Sequence, residues 1–235
     1  MKTVDLKDIK VLAFDADDTL WDNQSYYDNA EEVLKEELSA YLPADEVSAA
    51  LFGIETANMK ELGYGAKAFT ISLMETALKV SGRKINGESL DRILNAGKSV
   101  LKMACTPLEG VEKTLAAIQT LGKYRMVIFT KGDLLDQQNK IERSGLGKYF
   151  SNVEIVSDKS DKEYIGLCRK MHIAENELLM IGNSFKSDIA PALRIGGYGI
   201  HIPFERTWLH EVIEEFDHDR LIRIEKFSGI LDCLK

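Results

Sequence analysis

The hydrophobic pattern separates an alternating part of the chain from a purely helical part. Short apolar runs predict buried strands at residues 11–14, 126–129, 153–156, 178–181 and 198–202, and helical periodicity follows most of them. Strands that alternate with helices form a parallel sheet with right-handed crossovers and helices on both faces. The pattern therefore predicts a Rossmann-like α/β core.

Residues 23–105 carry apolar side chains at helical spacing and no convincing strand. The spacing predicts four helices, including one over residues 44–58, with a glycine-bounded turn at residues 63–65. A stretch of this length has the size of a small domain. We therefore expect an α/β core of residues 1–22 and 106–235, with residues 23–105 inserted as an all-helical domain.

Composition and charge narrow the class of protein. The chain has 235 residues, of which 45% are hydrophobic, and a formal net charge of -8. An acidic protein gains nothing from the phosphate backbone, so we expect no nucleic-acid partner. No apolar run approaches a membrane span, the N-terminus lacks a signal-peptide core, and three widely spaced cysteines suit a reducing compartment. We expect a cytoplasmic protein without membrane contact, and a solvated helix face at the charged residues 211–223.

Three carboxylates follow the first predicted strand, at Asp15, Asp17 and Asp18. Ligands of open α/β sheets bind at the carboxyl ends of the strands. Acidic side chains this close repel one another unless a cation is present, and Mg²⁺ is a hard cation that prefers oxygen ligands. The alternative interpretation is a polar turn that caps a helix.

Polar residues also follow three other strands, at 130–133, 157–160 and 182–188. Because the strands are predicted to be parallel, these loops converge on one edge of the sheet beside Asp15 and Asp17. The pooled side chains are carboxylates, hydroxyls and a lysine, together with free backbone amides. That inventory suits a phosphate group and a metal ion.

The four loops together resemble the haloacid dehalogenase-like superfamily of phosphohydrolases. The motifs that carry the resemblance are Asp15-Ala16-Asp17-Asp18-Thr19, Thr130-Lys131-Gly132, Lys159, and the stretch from Gly182 to Asp188 that ends in Ser187-Asp188. Each motif alone is weak, but all four occur in order, each after a strand. The resemblance covers the whole core, and the helical insert resembles the C1-type cap of that superfamily.

The resemblance implies the following roles for the acidic residues. Asp15 corresponds to the nucleophile that forms an aspartyl-phosphate, and Asp17 to the general acid and base. Side chains two residues apart on a strand share a face, so Asp15 and Asp17 can both address one phosphorus atom. Asp188 corresponds to the metal-binding carboxylate, with Asp15 and the backbone carbonyl of Asp17 as further ligands of Mg²⁺.

The same resemblance implies a phosphate cradle and a catalytic lysine. Thr130 and the amides of Lys131 and Gly132 correspond to the cradle. Lys159 corresponds to the lysine that pairs with the nucleophile and the phosphate, and we prefer it to Lys162 because it lies nearer the strand end.

Several neighbouring residues receive weaker assignments. Asn183 stands where many relatives carry a second acidic residue, and an amide contributes less charge to a metal site. Thr19 is expected to bond the local backbone. Asn23, Tyr64 and Lys67 in the helical insert are candidate substrate contacts, since a cap supplies the contacts that distinguish leaving groups.

The function expected from these residues is Mg²⁺-dependent hydrolysis of a small phosphorylated metabolite by a monomer or homodimer. A 2-haloacid dehalogenase of the same fold would need no metal and no second acid, so Asp17 and Asp188 argue against it. A receiver-like phosphoacceptor domain is shorter and lacks the insert, and the intact motifs argue against a scaffold with a dead site. Phosphoryl transfer to a second substrate, as in a mutase, stays open.

Overall fold

A computed structural model describes residues 4–234, which fall into two compact units. The first unit holds the described residues up to Asp22, then Cys105–Lys131, then the chain from Ile141 onward. The second unit holds Asn23–Ala104 and Gly132–Lys140. Among the described residues, no helix combines the length and the apolar character needed to cross a bilayer.

The first unit contains a six-stranded parallel sheet, as the alternating pattern predicts. The strands are β1 (Val11–Phe14), β2 (Arg125–Lys131), β3 (Asn152–Val156), β4 (Leu178–Gly182), β5 (Tyr198–His201) and β6 (Leu221–Arg223). Their spatial order is β3-β2-β1-β4-β5-β6. The chain moves outward from β1 to β3 and then resumes on the other side of β1 with β4, so the order reverses beside β1. Such a switch point is where open α/β sheets bind ligands.

Strand β1 lies in the interior of the sheet between β2 and β4, and all four of its side chains are fully buried. Phe14 at its end lies level with Ile128 of β2 and Ile181 of β4, so the three loops that follow leave the sheet at one level. Helices surround the sheet: α5 (Val111–Leu121), α6 (Leu134–Ser144), which begins in the second unit, α7 (Asp161–Lys170), α8 (Ala190–Arg194) and the short α9 (Ile230–Cys233). One buried cluster joins alternate side chains of β1, β2 and β4 to α7.

The second unit is helical, with α1 (Gln24–Leu38), α2 (Ala44–Leu62), α3 (Ala66–Val80) and α4 (Gly87–Val100). The four helices confirm the predicted periodicity, and α2 continues beyond the expected end at residue 58. Close packing of α3 on α4 depends on Gly97, because a Cβ there would lie 2.5 Å from the Thr70 hydroxyl oxygen. Asn86 caps α4 by accepting a hydrogen bond from the Ser89 amide.

The charged tail differs from its prediction. Residues 211–223 do not form a helix; a 3-10 turn at Leu209–Glu211 leads into an irregular segment and then into β6. Strand β6 pairs with β5 in parallel and extends the sheet by one strand beyond residues 198–202. The predicted solvated helix is wrong because charge alone carries no helical period, whereas β5 offers an unpaired sheet edge.

Candidate active site

Asp15 leaves the end of β1 with both carboxylate oxygens held. Its amide donates to the Ile181 carbonyl at 2.9 Å, which continues the pairing of β1 with β4. One oxygen accepts from the Lys159 ammonium at 2.5 Å, and the other lies 3.1 Å from the Thr19 hydroxyl oxygen. The contacts with Lys159 and Thr19 orient the carboxylate.

Lys159 lies between two buried carboxylates. Its ammonium donates to Asp188 Oδ1 at 2.7 Å as well as to Asp15, and the second Asp188 oxygen accepts from the Ser184 amide at 2.9 Å. The Lys159 side chain is buried, whereas Lys162 is exposed. The structure thus brings together Asp15, Lys159 and Asp188 from three different loops.

Burial and mutual repulsion set the charge state of this trio. Burial raises the pKa of Asp15 to about 7, with a further contribution from the charge of Asp188, and Lys159 only partly offsets the two. Burial likewise raises the pKa of Asp188. Burial by itself lowers the pKa of Lys159, but the two carboxylates outweigh it and raise that pKa to about 12. The site is therefore short of positive charge.

Asp17 is held by the indole of Trp21, whose Nε1–H donates to Asp17 Oδ1 at 2.8 Å. Trp21 is fully buried, so it is a rigid donor. Between them Asp18 adopts a left-handed φ of 61° and its amide donates to the Trp21 carbonyl at 2.8 Å. Asp18 tolerates this conformation because its short polar side chain suits left-handed backbone. This tight turn presents Asp17 beside β1.

Thr19 connects the first motif to the fourth. Its hydroxyl oxygen accepts from the Asn183 amide at 3.1 Å and lies 3.1 Å from both Asp15 Oδ2 and Asn183 Oδ1. A hydroxyl has one hydrogen, so it donates to one of these two oxygens at a time. The expected bond of Thr19 to the local backbone is wrong, because its side chain turns inward to these two loops.

Asp188 lies in a π-helical turn at Phe185–Ile189 rather than at the start of a regular helix. Ser184 caps the turn by accepting from the Ser187 amide at 3.0 Å. The buried Tyr164 hydroxyl lies 3.0 Å from the Ser187 carbonyl oxygen and 2.9 Å from that of Asp188. π-Helical turns occur frequently at functional sites. The turn and Tyr164 together aim Asp188 at Lys159.

The predicted phosphate cradle lies at the end of β2. Thr130 is buried there, and the Lys131 ammonium forms an ion pair with Glu211 and donates to the Ser187 hydroxyl at 3.0 Å. Gly132, with φ 142°, is the first residue of the stretch assigned to the helical unit.

The three candidate substrate contacts belong to the helical unit. Asn23 precedes α1, and its side-chain oxygen accepts from the buried Lys140 ammonium at 2.8 Å. Lys67 in α3 forms an ion pair with Asp133 at 2.9 Å, and Tyr64 is half-buried in the turn before that helix. The Asn23 and Lys67 side chains thus make polar contacts within their own unit.

The donor atoms fit a magnesium ion. Within residues 4–234, no three Asp, Glu, His or Cys side chains are grouped to hold a metal. The expected set needs only two such side chains, those of Asp15 and Asp188, because the Asp17 donor is a backbone carbonyl. All three are hard oxygen donors, and the charge deficit around the buried carboxylates is what a divalent cation offsets.

Three residues of the site have no place in the sequence prediction, namely Trp21, Tyr164 and Glu211. Trp21 stands four residues after Asp17, but an apolar aromatic at that position predicts only core. Tyr164 shares the helical spacing of the buried face of α7 and carries no further signal. Glu211 lies in a run of charged residues, and nothing in the sequence separates it from the other acidic residues of that run.

Comparisons with known proteins agree with this geometry. A family model described as haloacid dehalogenase-like hydrolase matches residues 9–196. A haloacid dehalogenase-like family hydrolase from Xanthomonas campestris is 34% identical, with TM-score 0.87 over 100% of this chain and 95% of that one.

More distant structures share the fold. A 2-haloacid dehalogenase from Pseudomonas syringae pv. tomato DC3000 is 19% identical, with TM-score 0.62, covering 96% of this chain and 98% of that one. The putative HAD-hydrolase YfnB from Bacillus subtilis, bound to magnesium, is 17% identical, with TM-score 0.65 and the same two coverages. The sequence matches no curated protein.

Proposed function

This chain belongs to the haloacid dehalogenase-like hydrolase family, and on that premise we propose that it hydrolyses a phosphomonoester of a small metabolite with Mg²⁺. The observation that carries the proposal is the position of the Asp17 carboxylate. Asp17 lies two residues after Asp15, and the Trp21 indole donates a hydrogen bond to its carboxylate. An alkoxide leaving group needs a proton, whereas a halide leaves as a weak base without one. A positioned second acid therefore favours phosphoester hydrolysis over dehalogenation.

In the proposed reaction an Asp15 oxygen attacks phosphorus, a new O–P bond forms, and the ester P–O bond breaks. Asp17 donates its proton to the departing oxygen. Water then attacks the aspartyl-phosphate, Asp17 takes up a proton from it, and inorganic phosphate leaves while the Asp15 carboxylate is regenerated. Splitting one displacement into two easier steps is the advantage of a covalent intermediate.

The other residues hold charges in place during both steps. Lys159 neutralises the nucleophile and can follow the phosphoryl group, since a single ammonium on a flexible stem makes no rigid fork. Asp15, Asp188 and the Asp17 carbonyl would hold Mg²⁺, which when bound offsets the repulsion between the carboxylates and the phosphate. Support from a relative is the magnesium bound in YfnB.

The test is release of p-nitrophenol from p-nitrophenyl phosphate by the whole chain. We expect turnover with Mg²⁺, loss of turnover with excess EDTA, and no turnover by Asp15→Asn. Asp8→Asn, a change at an exposed aspartate of the same unit, is the matched control and keeps its activity.

A parallel assay follows halide release from 2-chloropropionate. Halide release without phosphate release would overturn the phosphatase proposal in favour of a dehalogenase, and full phosphatase activity in excess EDTA would overturn the magnesium claim. A panel of sugar phosphates, nucleotides and phosphoglycolate then identifies the class of metabolite.

A further inference from the structure

Glu211 brings a carboxylate from the C-terminal part of the first unit to the loops of the active site. Its side chain is 11% exposed although the segment around it is largely open to solvent. It accepts from the Ser187 hydroxyl at 2.6 Å and also from the Ser184 hydroxyl, and it forms an ion pair with Lys131. No expected role in the reaction uses this residue.

The hydrogen bonds around Glu211 run in one consistent direction. Lys131 donates to the Ser187 hydroxyl, and that hydroxyl donates to Glu211. The Ser187 amide donates to the Ser184 hydroxyl, and that hydroxyl also donates to Glu211. The Lys131 ammonium and both serine hydroxyls thus donate to the Glu211 carboxylate, and an ionised acid, which only accepts, is the group that satisfies these three donors.

Charge supports the same reading. Burial opposes ionisation of Glu211, but the adjacent Lys131 ammonium outweighs it and lowers the Glu211 pKa below its ordinary value. The carboxylate is therefore charged at neutral pH and neutralises Lys131. Without it, the Lys131 side chain would lose this carboxylate partner next to Ser187, one residue from Asp188.

The contacts connect Glu211 to the reacting groups through one intermediate residue. The Ser184 hydroxyl donates to Glu211, and the Ser184 backbone amide donates to Asp188 Oδ2 at 2.9 Å. Asp188 Oδ1 in turn accepts from the Lys159 ammonium at 2.7 Å. Lys131 follows Thr130 directly in β2. A displacement of Glu211 would therefore change the position of Lys131 at the end of β2 and the orientation of the Asp188 carboxylate.

We propose that Glu211 is a positioning residue of the hydrolytic reaction, which fixes the Asp188 turn through Ser184 and Ser187 and neutralises Lys131. A Gln side chain has almost the same shape, but its amide group would bring a donor against Lys131 or a serine hydroxyl and would remove the carboxylate that pairs with the ammonium. The proposal rests on the phosphatase function only for the choice of substrate.

The experiment compares Glu211→Gln with Glu214→Gln, an exposed glutamate three residues further along the same segment. We expect Glu211→Gln to lower kcat for p-nitrophenyl phosphate by about tenfold or more, with a KM change below about threefold, because misplaced groups cost turnover more than ground-state binding. Glu214→Gln keeps the wild-type kcat and KM. A kcat of Glu211→Gln within about twofold of wild type would overturn the proposal.

Hydrogen exchange of the metal-free protein gives a readout that needs no activity. We expect amides 184–188 to exchange about tenfold faster in Glu211→Gln while the amides of β1 and β4 keep their rates, because only the serine hydroxyls of the turn lose their carboxylate acceptor. Uniformly faster exchange would mean a general loss of stability and would overturn the positioning role. If the wild type hydrolyses no phosphoester, the proposed function fails and the exchange result still decides on Glu211.

A double variant covers the case in which Glu211→Gln does not fold. Lys131→Met with Glu211→Gln removes both charges of the Lys131–Glu211 ion pair together, so neither charge of that pair is buried without the other. We still expect faster exchange at amides 184–188 in this variant, since the serine hydroxyls have lost their charged acceptor. Wild-type exchange there would overturn the proposal.

Discussion

Gly182→Ala is expected to inactivate the enzyme through a single methyl group. Gly182 is the last residue of β4 and has no left-handed φ, so alanine brings no backbone strain. A Cβ built there would lie 2.5 Å from Cγ and 2.8 Å from Cβ of Asp188. Since nonbonded carbons approach to about 3.5 Å, the Asp188 carboxyl group must move by about 1 Å.

The consequence follows from the two bonds of Asp188. A shift of about 1 Å stretches the 2.7 Å contact with Lys159 and the 2.9 Å contact with the Ser184 amide beyond hydrogen-bonding range. We expect kcat to fall by about a hundredfold, the usual consequence of such a misplacement. Overpacking should also lower the free energy of unfolding by about 1–3 kcal/mol.

The assay is steady-state hydrolysis of p-nitrophenyl phosphate, with urea unfolding of the same samples. Gly166→Ala in α7 is the matched control, because a Cβ there meets nothing within 4 Å. It should keep wild-type activity and gain about 0.5–1 kcal/mol of stability from helix propensity. A Gly182→Ala kcat within about threefold of wild type would refute the inferred packing of Asp188 against β4.

Three further predictions concern acid–base groups. Asp17→Asn should slow hydrolysis of alkyl phosphates more than that of aryl phosphates, because p-nitrophenolate needs little protonation. The difference should lie within the range of about a hundredfold to ten-thousandfold. Equal losses of the pre-steady-state rates on the two substrates would contradict the role of Asp17 as the acid. Trp21→Phe removes the indole N–H and should reduce kcat by about tenfold, corresponding to a hydrogen bond to a charged group of about 1.5 kcal/mol, and an unchanged kcat would show that Asp17 needs no such donor. Burial, with a contribution from Glu31, raises the pKa of Glu55 to about 7 from an ordinary 4.5. The contribution of Glu55 to the free energy of unfolding is therefore most favourable below pH 4.5, and it falls as the pH rises to about 7. Glu55→Gln should therefore be more stable than wild type by about 1–3 kcal/mol at pH 8 and equally stable at pH 4 in urea unfolding, and a difference that does not change with pH would contradict the burial of Glu55.

The sequence predicted the sheet and the helical insert because both rest on local patterns. A four-residue apolar run such as Val11–Phe14 is shorter than a typical helix and predicts a strand buried on both faces, and apolar spacing of three to four residues between 23 and 105 matches the period of a helix. The tail beyond residue 211 was predicted wrongly, because its charges have no period and β6 forms only where the edge of β5 is available.

For the active site, the sequence by itself determined which residues follow which strand. It therefore placed Asp15, Thr130, Lys159 and Asp188 at one edge of the sheet, because parallel strands end at the same edge. Only the tertiary structure decided the partners of these groups. It put Lys159 between Asp15 and Asp188, and turned Thr19 towards Asn183 rather than the local backbone.

Glu211 shows most clearly what only the tertiary structure could decide. It lies 80 residues along the chain from Lys131, and no local pattern separates it from the exposed Glu214 nearby. The role proposed for Glu211 depends on contacts between the segment after β5 and the loops that follow β2 and β4. These contacts depend on the order of the strands in the sheet and on a buried Glu211 carboxylate that pairs with Lys131 and accepts from the hydroxyls of Ser184 and Ser187. Their physical cause is therefore long-range packing and electrostatics, which no local sequence pattern contains.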